Sequence, residues 1–333
     1  MATRSLPPRA RSVLLIVVLS ALAAFLLWAF TWPAARSGPR DLPLGVAGPG
    51  ASVTRIEAGL AGHEGTGAFA FHRYADADAA RRGIEHRVVY GAIVARPDGL
   101  HVLTASAASP AVATMLQQVA AQLPGGPAPV TDVVALPSAD PRGGAFASSV
   151  LPTIVAGLAL GAFTLAVRSV RLRLLTLVLG AAAVGAVVAG IGNTWLGLLD
   201  GRFAADAGVA GLIVLAVGSA VSGLGALLGA RGIGVGSVLF MMLGNAWSGV
   251  TSAPEFLPGP VRTIGRLLPP GAGAEALRSA AFFHGHGLRE PVLVLAGWAV
   301  LGLVLTTAGH AAGRRTPPVK VTAVESPARP VRV

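Results

Sequence analysis

Seven histidines, one lysine and no cysteine bound the reactive chemistry open to this 333-residue chain. Without a thiol there is no thiolate nucleophile, redox pair or sulfur metal ligand. The one lysine, Lys320, sits in Pro318-Val-Lys-Val-Thr322, so the chain holds no Gly-x-x-x-x-Gly-Lys-Ser/Thr loop of the kind that cradles nucleotide phosphates. ATP hydrolysis by that route is excluded. His284-Gly-His286 is the only close histidine pair, and two nitrogens alone rarely hold a metal, so it reads as a solvated loop. His63, His72, His86 and His101 are scattered, with nothing in the sequence to bring them together. Asn193 and Asn245 stand near the ends of apolar stretches, where an amide caps an unwound helix end or hydrogen-bonds across helices. The spacings Gly157-x-x-x-Gly161, Gly225-x-x-x-Gly229 and Gly232-x-x-x-Gly236 suit close helix packing better than phosphate binding. No catalytic, cofactor-binding or metal-binding set is expected, and the chain is expected not to be an enzyme. An intramembrane enzyme would need Asp200, Asp206 or the outer histidines to converge, and the sequence carries no sign of that.

The elements that would position these residues are membrane helices. The chain is 53% hydrophobic and only 12% charged, with a mean hydropathy of +0.68, whereas soluble domains run near one quarter charged. Six stretches approach the roughly 20 residues that a hydrocarbon core of about 30 Å requires: Val13–Trp32, Ser149–Val167, Leu174–Leu199, Ala207–Ala230, Gly232–Val250 and Pro291–Gly309. None contains Asp, Glu, Lys, Arg or His, which disfavours a self-sufficient proton-driven carrier. Arg4, Arg9 and Arg11 precede the first stretch, but its apolar run is long for a signal peptide and Trp32-Pro-Ala-Ala35 is a poor cleavage site, so it reads as an uncleaved anchor.

Charge sets the orientation. With the N-terminus inside, the inner segments are residues 1–12, 168–173, the turn at Arg231 and 310–333, and they hold twelve basic residues against one acid, Glu325. The outer segments carry equal numbers of both signs, so the whole net charge of +11 falls on one face, as the positive-inside rule requires. Trp28, Trp32, Trp195, Trp247 and Trp298 fall at the outer ends, as interfacial anchors do. A multi-pass protein of a bacterial plasma membrane is expected, with both termini cytoplasmic, lipid as its surroundings and no nucleic acid as partner. Residues 310–333 read as a disordered basic tail.

Between the first two stretches, residues 33–148 balance nine basic against nine acidic residues and are long enough to fold as a small extracytoplasmic domain. Strand-like runs at Asp41–Ala47, Gly67–Tyr74, Val88–Ala95, Leu100–Ala105 and Val130–Leu136 alternate with helical ones at Ser52–Ala61, after Asp76, and from Ser109-Pro110 to Leu123. Arg96-Pro-Asp-Gly99 marks a hairpin turn. The fold class expected is therefore a six-helix integral membrane protein with an α/β domain between helices 1 and 2, and a core at 149–309.

The stretch after the fifth span is the most informative. It reads Gly244-Asn-Ala-Trp-Ser-Gly-Val-Thr-Ser-Ala-Pro254-Glu-Phe-Leu-Pro258, then Leu267-Leu-Pro-Pro-Gly271, then Leu277-Arg278. Leu257, Val261, Ile264 and Leu268 recur at helical spacing, which predicts a short amphipathic segment in the outer headgroup region, ended by Pro269-Pro270-Gly271. A second interfacial helix is expected over Ala272–Phe283, inside an interfacial segment 251–290.

This run resembles the ABC-2 type permease superfamily, most closely its YhgE/Pip-like (phage infection protein-like) branch. The matching positions are Asn245, Ser248, Gly249, Pro254, Leu257-Pro258 and Leu268-Pro269-Pro270-Gly271. The arrangement of one span, a large outside domain and five further spans is also similar. The resemblance implies a membrane subunit of an exporter, a homodimer or paired permease, powered by a separate ATP-binding subunit and moving a hydrophobic or amphipathic compound. It implies that the N-terminal segment from Arg4 to Arg11 and the short loop holding Arg168, Arg171 and Arg173 face the ATPase. The same arginines are equally topology determinants, the reading the sequence favours. The competing reading is a non-transporting envelope protein whose outside domain binds a partner, a cell-wall component or a phage.

Overall fold

The computed structural model describes residues 7–123 and 126–315. Arg4, Lys320 and residues 316–333 lie outside the described residues, and the first six residues of the expected disordered tail, 310–315, instead continue the last helix. In chain order, α1 (Pro8–Ala35) leads into β1 (Leu42–Ala47), α2 (Gly50–Glu64), β2 (Phe69–Tyr74), α3 (Ala77–Glu85), β3 (Gly91–Arg96), β4 (Gly99–Thr104), α4 (Pro110–Gln122) and β5 (Val130–Asp132). The helical part follows as α5 (Gly144–Thr164), α6 (Val170–Ala189, running on as a π-helical turn Gly190–Trp195) and α7 (Phe203–Leu228). After these come α8 (Ala230–Ser237, continued by the π-helical Val238–Gly244), α9 (Gly259–Leu267), α10 (Pro269–Phe282) and α11 (Arg289–Arg315).

Among the described residues five helices, α1, α5, α6, α7 and α11, are long and apolar enough to cross a membrane. This is a helical membrane protein. The stretch read as a fifth span, Gly232–Val250, instead forms a shorter apolar helix over Ala230–Gly244. At 1.5 Å per residue its 15 residues reach about 22 Å, short of a hydrocarbon core of about 30 Å. It stops where Ser248 and Gly249 turn the chain, Gly249 at φ +66°. A second correction concerns charge inside the helices. The expected fourth span began at Ala207, but α7 begins at Phe203 and so includes Asp206, which is fully buried.

The five strands form one sheet in the order β2-β1-β3-β4-β5, with β1 parallel to both β2 and β3, β3 antiparallel to β4, and β4 parallel to β5. Strand alternation divides the side chains between two faces. Leu42, Leu44, Val46, Phe69, Ile93 and Val102 share one face with Val53, Ile56 and Leu60 of α2 and Val112 and Leu116 of α4. The other face mixes Ala47, Ala92 and Gly45 with Val94, Leu103 and Tyr74, and packs on Ala80 and Ile84 of α3. That second cluster runs on without a break into Phe146, Ile154, Leu277 and Phe283 of the helical part. The sheet therefore packs directly on the helical part through a shared core, where the sequence had suggested a separate unit.

Ser109 caps α4, as the Ser-Pro start predicted: its Oγ accepts from the Val112 N–H (3.3 Å) and donates to the Ser252 carbonyl (2.7 Å). Since it is fully buried, Ser109→Ala is expected to cost about 1–2 kcal/mol. Thermal unfolding of the detergent-solubilised protein measures this loss, and Thr114→Ala, on the exposed side of the same helix, is expected to leave the midpoint nearly unchanged.

Within the helical part α7 is central. Two thirds of its apolar window is buried (67%), against 6% for α1 at the periphery. Gly157 and Gly161 of α5 lie against Val217, Gly218 and Val221 of α7, and Gly232 and Gly236 lie against Leu224 and Val221, so these spacings serve helix contact.

Candidate functional site

The segment from Gly244 to Gly271 folds where the sheet meets the helical part. Ser248 is buried; its Oγ donates to the Asn245 carbonyl (2.8 Å) and accepts from the Val250 N–H (3.3 Å), closing the turn that Gly249 completes. Buried Pro254 opens a single 3-10 turn to Phe256. Leu257 packs with Ala29, Trp247 and Val261, and Pro258 immediately precedes α9. The indole N–H of Trp247 donates to the Ala29 carbonyl of α1 (2.9 Å). Trp247→Phe is expected to cost about 1 kcal/mol through that lost bond and to loosen α1, seen as faster protease cleavage in residues 36–41.

The next element overturns an expectation. Pro269-Pro270-Gly271 was read as ending a helix; instead Pro269 and Pro270 begin α10, the position where a missing N–H and a fixed φ are harmless. Nor is α10 an exposed amphipathic helix: every residue from Pro269 to Phe282 except Glu275 is buried against the rest of the protein. It carries two charges inside an apolar run, Glu275 and Arg278.

Those charges are the centre of the site. Arg278 has only 2% of its side chain exposed; its Nη1 donates to Glu275 Oε1 (2.7 Å), its Nη2 to the Val250 carbonyl (3.0 Å), and its guanidinium lies 5.1 Å from the Phe146 ring centre. Arg87, in the turn after α3, reaches in from the sheet domain. Its Nη2 donates to Glu275 Oε2, its Nη1 to Ser279 Oγ (2.5 Å), and its guanidinium covers the Phe283 ring at 5.2 Å. Arg87 holds φ at +60°, a left-handed conformation unusual for a residue with a Cβ, and this turn directs the side chain toward α10. Burial alone would raise the Glu275 carboxyl, but Arg87 and Arg278 outweigh it and hold the group at about 2. Beside it, the Tyr90 hydroxyl donates to Glu255 Oε2 (2.7 Å), and burial followed by the Glu255 charge pushes that phenol well above its ordinary value.

Further bonds fasten the same junction. Arg40, in the linker after α1, donates to the Phe256 carbonyl (2.8 Å), and Arg262 of α9 donates to the Arg40 carbonyl (3.0 Å). His86, on the same side as the sheet, stacks on His286 with ring centres 4.2 Å apart, while His284 and His286 are both exposed, as the reading of a solvated loop pair expects. Between these elements lies a cavity of about 320 Å³, lined by Arg87, Tyr90, Glu255, Glu275, Arg266 and Glu290. Arg266 pairs with Glu290 at 3.2 Å, so each charge named on this wall has a partner of opposite sign or a hydrogen bond. With Glu275 held deprotonated and Tyr90 held neutral, the arrangement is chemically a clamp: it ties α3 and the strand edge to α10 by charge. Among the described residues no group of three or more His, Asp or Glu is placed to hold a metal.

Arg168 and Arg171 are exposed, but Arg173 is 7% exposed and donates to the Leu165 and Val167 carbonyls at the end of α5 (3.2 and 3.0 Å). It caps a helix end and is not free to meet a partner. The sequence reading singled out the loop motif and quoted Arg278 without assigning it a role, and it missed Arg87, Tyr90 and Glu275. Glu275 and Arg278 had a usable signal, an (i, i+3) pair of opposite charge in an alanine-rich run. Arg87 and Tyr90 had none, since only the docking of the sheet brings them there.

No protein-family model, curated protein or solved structure matches this chain. What the fold and the junction define is a class: a helical membrane protein with a five-stranded sheet docked on its helical core.

Proposed function

We propose that the chain is the membrane subunit of an ABC-2-like exporter of the YhgE/Pip-like kind, moving a hydrophobic or amphipathic compound with energy from a separate ATP-binding subunit. The observation that carries this reading is the fate of the Leu-Pro-Pro-Gly element. It starts a helix buried in the core and clamped by Arg87 to the domain between the first two long helices. A displacement of α10 relative to the bundle is then mechanically shared with the sheet domain. In this proposal Ala230–Gly244 is a sixth, short membrane segment, the sheet domain is extracytoplasmic, both termini are cytoplasmic and the membrane is the bacterial plasma membrane. Two copies pair, and of the three arginines in the short loop Arg168 and Arg171 are the ones left exposed at the inner face. Purification of the tagged protein in mild detergent tests it: a stoichiometric ATP-binding subunit is the expected companion, and ATP hydrolysis indifferent to this chain would count against it.

Because the chain lacks cysteine, orientation is testable with single introduced thiols. A membrane-impermeant maleimide added to intact cells is expected to label Gln118→Cys and to spare Ala166→Cys; the reverse pattern would invert the topology.

One observation favours a second reading, an envelope protein whose outside domain binds a partner. A groove of about 420 Å³ between α2 and α4 is lined by Ile56, Leu60, Leu100, Met115, Val119 and Leu123. Recovery of envelope or cell-wall proteins without an ATPase would support that reading over export.

A further inference from the structure

A buried carboxylate that no neighbour neutralises lies at the other side of α10. Asp206, in the first turn of α7, is 0% exposed. No ion pair among the described residues includes it, and Arg202, the nearest basic residue in sequence, is exposed. One carboxylate oxygen, Oδ2, accepts from Asn193 Nδ2 at 2.8 Å; the other, Oδ1, is buried with no hydrogen-bond partner. Asn193 shows the same deficit. Its Nδ2 serves both Asp206 and the Gly201 carbonyl (3.0 Å), which fixes the amide orientation, and its Oδ1 is buried and unpartnered. Two lone-pair-bearing oxygens, Asp206 Oδ1 and Asn193 Oδ1, are thus shut away from water without a donor, on side chains that the Asn193 Nδ2–H to Asp206 Oδ2 bond ties together.

The surrounding backbone adds a third oxygen source and closes the site. A Cβ placed on Gly201 would come within 2.7 Å of Asp206 Oδ2 and 2.8 Å of the Ala280 carbonyl oxygen, so glycine lets the loop lie directly over both. Ala280 belongs to the last turn of α10, where carbonyls run out of intrahelical donors and the helix dipole is negative. Asn193 is delivered by the π-helical turn Gly190–Trp195, a local widening of the kind that accumulates at functional sites.

We propose that Asp206, Asn193 and the last turn of α10 form a binding site for a sodium ion. The donors are all hard oxygens, which suits an alkali or alkaline-earth ion and not zinc or copper. A single carboxylate balances one positive charge and not two, and calcium sites gather more carboxylates than this. A proton on Asp206 is the competing occupant, since a carboxylic O–H beside Asn193 Oδ1 donates to it and satisfies both oxygens; sodium and acid are the two arms that the test below separates. A carboxylate, an amide oxygen and helix-end carbonyls beside an unwound segment are also the donor set by which membrane proteins hold sodium. The site is separate from the Arg87–Glu275–Arg278 clamp, so it stands or falls apart from the proposed export function.

The test uses the full-length protein in lipid nanodiscs, with thermal unfolding followed in sodium chloride and in choline chloride at equal ionic strength and neutral pH. Sodium is expected to raise the midpoint in a saturable manner, since a ligand of the folded state alone stabilises with the logarithm of its concentration. Asp206→Asn, which keeps the shape and the bond to Asn193, is expected to abolish the sodium dependence; Asn193→Ala is expected to weaken apparent affinity roughly 10-fold. Equal midpoints in the two salts for the wild type, an identical sodium response in Asp206→Asn, or stabilisation by acid alone would each overturn the site. Should Asp206→Asn fail to fold, saturable uptake of radioactive sodium by the wild-type protein decides the matter, and its absence refutes the proposal.

Discussion

Glu275→Ala is expected to be the most damaging single substitution in this protein. It leaves two guanidinium groups, Arg87 and Arg278, in a site where their side chains are 10% and 2% exposed. Breaking a buried pair by removing one partner costs about 3–5 kcal/mol, because the survivor stays desolvated and uncompensated, and here two survivors share one lost anion. Unfolding of the purified protein, followed by tryptophan fluorescence, is expected to show a large drop in stability or no folded population. The same reasoning gives a rescue. Replacing all three residues by apolar ones of similar volume, as Arg87→Met, Glu275→Leu and Arg278→Met together, removes every unpaired charge and is expected to recover a large part of the loss. If the triple variant is no more stable than Glu275→Ala, the charge network is not what holds the sheet domain to α10.

The clamp also fixes a pH dependence whose sign follows from Glu275. Its folded value of about 2 lies below the ordinary 4.5. A depressed carboxyl contributes stability in full above the unfolded value, and that contribution is lost as pH falls through the folded one. Stability from this group is therefore expected to be flat from neutral pH to about 4.5 and to decline from there toward 2. Glu275→Gln is expected to lack that acid limb. An equal decline in the variant would assign it to other carboxylates.

Gly265→Val is the second large effect. In α9, a Cβ at Gly265 would stand 1.9 Å from the Trp247 carbonyl oxygen and 2.9 Å from its carbon. These are backbone atoms of the turn that Ser248 and Gly249 shape, and they cannot rotate away as a side-chain tip could. The Gly265 carbonyl is in turn crossed by Gly271, where a Cβ would meet it at 2.2 Å. Three backbone segments, at 247, 265 and 271, are thus stacked without side chains between them. Overpacking such a contact costs about 1–3 kcal/mol or more, and the displaced Trp247 is expected to release its bond to α1. Gly259→Ala in the same helix is the control: a Cβ there meets nothing within 4 Å, and it is expected to be neutral or slightly stabilising. Comparable losses at both positions would mean that helix propensity, and not the crossing, sets the cost.

Local signals carried much of this protein into view. The apolar runs placed the long helices to within a few residues, because a membrane helix must satisfy its own backbone and so declares itself in one continuous stretch. The strands, the cap at Ser109 and the turn at Arg96–Gly99 were equally legible, as each is set by residues adjacent in sequence. What neighbours in sequence do not encode came only with the tertiary structure. Pro269-Pro270 reads as a stop or a start with equal ease, and packing of Pro270 on Gly244 and of Gly273 on Ile213 made it the start of a buried helix. Asp206 looked like a loop residue until α7 began four residues earlier than its apolar run suggested. Arg87 and Glu275 are separated by 188 positions, and their pairing depends on which face the sheet turns to the helices. The sequence by itself pointed to a helical membrane protein with strands between its first two long helices. Only the fold decided which charges end up buried, because burial is a property of how distant surfaces meet.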